Sequence, residues 1–168
     1  MITPEYCQMM ARYNAWQNKG VRAVVEAMDQ DALTQDRGAF FGSIFGTLNH
    51  LIWGDTIWIS RFDGGPGPQV APEQHCESTP TIAVWGAERF RLDGRISEWA
   101  RSVSALDLTG DLTWRSAMAD WTKTAPMGMC VTHFFNHQTH HRGQIHAMLT
   151  AAGHTLPDTD LPLMPDHP

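Results

Sequence analysis

Residues 129–152, MCVTHFFNHQTHHRGQIHAMLTAA, decide how the rest of the chain is read. Five of the nine histidines fall among them: His133, His137, His140, His141 and His146. At ~100° per residue, a helix here turns His133, His137, His140, His141, Gln144 and Met148 into one sector. Val131, Phe134, Ile145 and Leu149 line the adjoining one. The stretch predicts a helix with an imidazole stripe beside its apolar stripe. Residues four apart on a helix stand ~5–6 Å apart at Cβ, so His137 and His141 can reach one cation at a Zn–N distance of ~2.0–2.1 Å. Two ligands do not make a site, and a third has to come from another segment. His133, one turn earlier, could ligate, orient a neighbour or do neither.

The third ligand is sought on other helices. Residues 43–62, SIFGTLNHLIWGDTIWISRF, carry Ile44, Leu48, Leu51, Ile52, Ile59 and Phe62 at helical spacing, with His50 as their single histidine. The residues four before and four after it are Gly46 and Gly54. Each costs a helix interior roughly 0.8–1 kcal/mol, so helix stability alone would not select them. Small residues there let a second helix, or a metal with its ligands, come close to the backbone. Simple tight packing is the competing explanation.

Two further helices are expected. Thr3-Pro4-Glu5 is a helix start, and residues 6–28 follow it as an amphipathic run containing Gly20. Residues 29–37 read as a polar link. Residues 81–103 form another helix, with Ile82, Trp85, Phe90, Ile96, Trp99 and Val103 on its packing side. Arg89, Arg91, Asp93, Arg95, Glu98 and Arg101 are expected to face water. The Gly/Pro-dense residues 63–80 read as a surface connection; His75 and Cys76 could in principle add ligands, but a solvated loop is the favoured reading. Residues 106–126 break the helical period around Leu112, Trp114 and Trp121 and suggest a hairpin. Gly153 closes the last helix, and residues 157–168 form a proline-rich tail on the surface. The expected fold is all-α, an antiparallel four-helix bundle with long connections and a short hairpin before the last helix.

Composition narrows the function classes. A chain of 168 residues fits one domain with a substantial core. A formal charge of -6 and 12 Lys+Arg with no basic run argue against nucleic acid as a partner. No stretch approaches ~18 consecutive apolar residues, and the N-terminus lacks a signal-peptide pattern, which leads to an expectation of a cytoplasmic protein with no membrane partner. Cys7, Cys76 and Cys130 are far apart and odd in number, as expected of reduced thiols. Cys130 stands near the imidazole stripe.

The segments HFFNHQTHHRGQIHAML, LNHLIWGDTIWISRF and YNAWQN, in their order along the chain, resemble the DinB/YfiT-like family. The resemblance spans nearly the whole chain, and N-H-x-x-H-H-R-G-Q is its most specific part. It implies an up-down-down-up four-helix bundle, often a homodimer, holding a divalent metal, nickel or zinc, on three histidines. Carried over by position these are His50, His137 and His141, the same three that the spacing selects. The resemblance implies no settled reaction, since relatives include thiol-dependent isomerases and transferases.

Three imidazoles leave a coordination position open, the pattern of a catalytic rather than a structural site. Nitrogen ligands alone do not choose among zinc, nickel, iron and manganese. A metal so held could acidify water or hold the thiolate of a low-molecular-weight thiol. The favoured expectation is a metal-dependent hydrolase or thiol transferase acting on a small molecule; the alternative is a non-catalytic metal-binding stress or sensor protein. His133 is the candidate base, and Gln144 and His140 could orient an imidazole or meet substrate. Asp55 is expected to make a structural hydrogen bond or an ion pair with Arg142. An enzyme should present a pocket above the metal.

Overall fold

The computed structural model describes residues 2–116 and 121–166. They form five helices, α1 (Pro4–Val25), α2 (Gln30–Thr34), α3 (Ile44–Asp63), α4 (Ile82–Ser102) and α5 (Met127–Ala151), and two strands, β1 (Asp111–Arg115) and β2 (Thr122–Pro126). The long helices start where hydroxyl side chains cap free backbone amides. Thr3 Oγ1 accepts from Tyr6 N at 3.2 Å, Ser43 Oγ from Gly46 N at 3.0 Å and Thr81 Oγ1 from Val84 N at 3.3 Å. Gly64, at φ 70°, and Gly153, at φ 87°, take the left-handed conformation just past α3 and α5.

Each of the four long helices packs against two others: α1 on α4 and α5, and α3 on α4 and α5. The core runs between them through Leu48, Trp85, Ile96, Phe134, Ile145 and Leu149. The expected hairpin is present as an antiparallel pair with Asp111 opposite Pro126 and Arg115 opposite Thr122, so the chain is mostly helical and not all-helical. Trp114 of β1 lies edge-on to Trp58 of α3, with ring centroids 5.5 Å apart, which fastens the hairpin to the helices. The expected polar link contains α2, whose Leu33 is fully buried. No helix among the described residues is long and apolar enough to cross a membrane.

One face of α4 differs from its expected form. Arg89 is buried and Phe90 is 72% exposed, the reverse of their assignment. Trp85, Arg89, Leu92, Ile96 and Trp99 follow one another at four- and three-residue steps, which places Arg89 in the packing stripe. Its partner there is Asp55, buried on α3, at 2.6 Å, with Asp93 at 2.9 Å. Asp55 therefore pairs with Arg89 and not with Arg142. Arg142 donates instead to Asn14 Oδ1 of α1 and lies over the Tyr13 ring at 5.5 Å. Asn14 and Asn18 in turn donate to Asp93 at 3.1 and 2.9 Å, so a buried polar chain crosses α1, α3, α4 and α5.

Candidate metal centre

His50 projects from the second turn of α3, and His137 and His141 from the middle of α5. Each offers one ring nitrogen, and these donor atoms all lie within 4.8 Å of one another. His50 Nε2 stands 3.1 Å from His137 Nε2. The ring centroids are 5.1 Å apart for His50 and His137, 4.6 Å for His50 and His141, and 4.4 Å for His137 and His141. Two nitrogens bound tetrahedrally to one zinc at ~2.0–2.1 Å would stand ~3.3 Å apart, close to the separation found.

Gly54 makes this approach possible. A Cβ at that position would stand 2.8 Å from His137 Cε1 and 3.4 Å from its Nδ1, so the missing methyl is the space the imidazole fills. Gly46 has a different reason. A Cβ there would meet the Phe41 carbonyl oxygen at 2.6 Å, and the glycine lets the chain before α3 fold tightly over its first turn. That fold sets the Phe41 ring 4.0 Å from the His50 ring and 5.3 Å from that of His141, covering the cluster.

The electrostatics suit a cation-binding cluster. Burial, followed by the neighbouring imidazoles His137, His141 and His75, lowers the His50 pKa to about 3. Burial and then His141, His133 and His140 likewise lower His137 to about 3. His141 is lowered mainly by burial, against its hydrogen bond with Gln144. All three rings are thus neutral near pH 7, the form that offers a lone pair. His141 Nδ1 lies 2.7 Å from Gln144 Oε1, an atom that can only accept, so the proton sits on Nδ1 and the Nε2 lone pair is free. His137 Nδ1 is buried with no hydrogen-bond partner. The donor set therefore fits a divalent cation: without one, the facing nitrogens of His50 and His137 can satisfy each other only if one of them keeps a proton.

The other candidates fall around the cluster. His133 is exposed, packs edge-on against Trp58 at 5.0 Å and lies 5.7 Å from the His137 ring, outside the three-histidine group. His140 is exposed and edge-on to His141 at 4.8 Å, with its Nε2 3.4 Å from Gln144 Nε2. Cys7, Cys76 and Cys130 are all free, and burial raises the Cys130 thiol pKa. The expected solvated loop is corrected most clearly. His75 and Cys76 sit in a 3-10 turn, Pro72–Glu77, packed on α3, with His75 Nδ1 3.0 Å from His50 Nδ1. Asn49 draws the segment in, because its Oδ1 accepts from Thr79 N at 2.9 Å and Thr79 Oγ1 at 2.7 Å. Trp53 Nε1 donates to Val70 O at 3.2 Å. Neither His75 nor Phe41 carries a sequence motif; the only signal was a histidine 25 residues after His50 in the chain.

Two cavities lie away from the cluster. One of about 410 Å³ opens between α1, α5 and the C-terminal segment near Tyr13, Arg142 and His146, and another of about 410 Å³ lies between α3, α4 and residues 66–79. The three histidines line neither, so the pocket expected above the metal is not one of these.

A family model described as the DinB family matches residues 1–167. The chain is also similar to "Protein DinB" of Bacillus subtilis (strain 168), at 28% identity over 162 residues, covering 93% of this chain and 91% of that protein. No solved structure matches.

Proposed function

The chain belongs to the DinB family, and from that premise we propose that it is a metal-dependent enzyme acting on a small molecule, as a hydrolase or a thiol-dependent transferase. The observation that carries the reading is the convergence of three neutral imidazoles from two helices, with His50 Nε2 and His137 Nε2 3.1 Å apart. His50, His137 and His141 hold a divalent cation, zinc or nickel by preference, with iron and manganese as the other nitrogen-tolerant choices. When bound, the cation supplies Lewis acidity and lowers the pKa of water or of a substrate thiol.

The protein's own groups do the rest. Gln144 holds the proton of His141 on Nδ1 and so aims its Nε2 at the cation. His133, lowered in pKa mainly by the partial burial of its ring and then by the Arg61 charge, is neutral near pH 7 and serves as the base beside His137. Trp58, under His133, and Phe41, over His50, give the substrate apolar walls and exclude water. The helix packing supports the family's up-down-down-up four-helix bundle as a single domain. A homodimer in the cytoplasm completes the reading.

One observation favours the alternative of a metal-binding protein without turnover. Phe41 stands directly on the His50 ring, where an incoming substrate would have to displace it.

Metal analysis tests the centre, and a substrate screen tests the activity. Purified protein should carry close to one divalent metal per chain, and His137→Ala should lose it. Stoichiometric metal in that variant would remove His137 as a ligand. The loaded protein is then assayed against thiol-conjugation, ester and amide substrates with His50→Ala as the blank. Turnover equal in the two would locate the activity elsewhere.

A further inference from the structure

His50 has neighbours at both ring nitrogens, Nε2 towards His137 and Nδ1 towards His75 at 3.0 Å. The two nitrogens face different sides of an imidazole, so a group bonded to Nδ1 cannot share a cation held by Nε2. His75 thus stands behind the candidate ligand. We propose that His75 is a positioning residue for the metal centre: its Nδ1 accepts the Nδ1 proton of His50 and thereby fixes the tautomer whose Nε2 lone pair faces His137 and His141. The inference rests on the reading of these three histidines as a metal centre.

The proton count is closed. His50 carries its proton on Nδ1 and donates it; His75 carries its own on Nε2 and accepts at Nδ1. With the roles reversed, His50 would carry its proton on Nε2 and lose the lone pair the cation needs. Carbonyls and carboxylates usually accept from metal-bound histidines, and a second imidazole can do the same at neutral pH. The placement of His75 is built into the fold: Ser78 Oγ donates to the His75 carbonyl at 3.0 Å, Asn49 ties Thr79 to α3, and the Phe41 ring packs edge-on at 5.2 Å. Cys76 Sγ lies 3.2 Å from the same His75 nitrogen, where its thiol is a weak competitor for the lone pair.

The test is a zinc titration, against a chromophoric chelator, of the full chain and its His75→Ala and His75→Gln variants. Far-ultraviolet circular dichroism first confirms that each variant keeps its helices. His75→Ala should still bind one zinc per chain, with affinity reduced roughly 10–100-fold. His75→Gln, whose amide oxygen can accept the same bond, should recover most of the loss. Cobalt-loaded His75→Ala should show shifted visible bands, a signature that a merely structural role would not move. Nitrogen-15 NMR of the zinc form should place the His50 proton on Nδ1. If the unsubstituted chain binds no metal, the metal-centre reading itself fails. If it binds and His75→Ala binds equally well, or the His50 proton is on Nε2, only the present inference falls. A folded His75→Ala that cannot be filled at saturating zinc would make His75 a ligand and would also overturn it.

Discussion

At the scale of single residues, the centre is an arrangement that acid should undo. His50 and His137 have pKa values lowered to about 3, with burial the largest cause for both. In the unfolded chain they would titrate near ~6.5. Between those values the unfolded state binds more protons than the folded one, so stability rises with pH through that window and is lost as pH falls from ~6.5 towards 3. The melting temperature of metal-free protein should climb steeply from pH 4 to about 6.5 and flatten above it. Carboxylates also titrate at the acid end, so the comparison that isolates the imidazoles is His137→Phe, whose profile should be shallower over the same range. Identical profiles would mean that the cluster does not set the acid limit. The ligands themselves were legible in the sequence, because an i, i+4 histidine pair and a lone histidine flanked by glycines both state a geometry. His75 was not legible. Its position depends on Asn49 capturing Thr79, a long-range hydrogen bond that no local pattern announces.

At the scale of elements, glycine shows where helix stability gives way to function. Replacing Gly54 by Ala should strengthen α3 as an isolated helix by roughly 0.8–1 kcal/mol. It should also drive His137 out of line, because the new methyl would stand 2.8 Å from Cε1. The expected outcome is preserved helicity with zinc affinity reduced at least about tenfold, measured by chelator competition. Unchanged affinity would show that the ring has room to move. The buried pair between α3 and α4 supplies a second case. Asp55 and Arg89 are 1% and 3% exposed at their side chains. Asp55→Ala should leave the guanidinium without one of its two partners and cost about 3–5 kcal/mol in denaturant unfolding. A loss under about 1 kcal/mol would show that Asp93 alone suffices. The helices were legible because apolar residues recur at the helical period along all four of them. The side of α4 that carries Arg89 was not, since a periodic rule sends a charged residue to solvent unless its buried partner is already known.

At the scale of the whole molecule, the last residues bind the bundle's outer face more firmly than a proline-rich tail suggests. Tyr13 Oη donates to Thr159 O at 2.7 Å, Gln17 Nε2 to Asp158 O at 3.0 Å and Arg12 Nη2 to Pro165 O at 3.0 Å, so residues 158–165 run as a strap along α1. The strap also accounts for Gly20. A Cβ there would stand 2.5 Å from Pro157 Cγ, so the glycine that weakens α1 makes room for the returning chain. These contacts lie on the face formed by α1, whereas the three histidines come from α3 and α5. Stability and metal binding should therefore separate. A chain ending at residue 156 loses these three hydrogen bonds and a fourth from Arg12 Nη2 to Asp166 O, of about 1 kcal/mol each, partly offset by hydration of the freed groups. Its melting temperature should fall by roughly 4–8 °C while zinc affinity stays within about twofold. Calorimetry and a chelator titration on the same preparation check both halves. A melting temperature left unchanged would show that the strap adds nothing to the fold. A large drop in zinc affinity would show that α5, which the strap borders at Arg142, carries strain from this face through to His141.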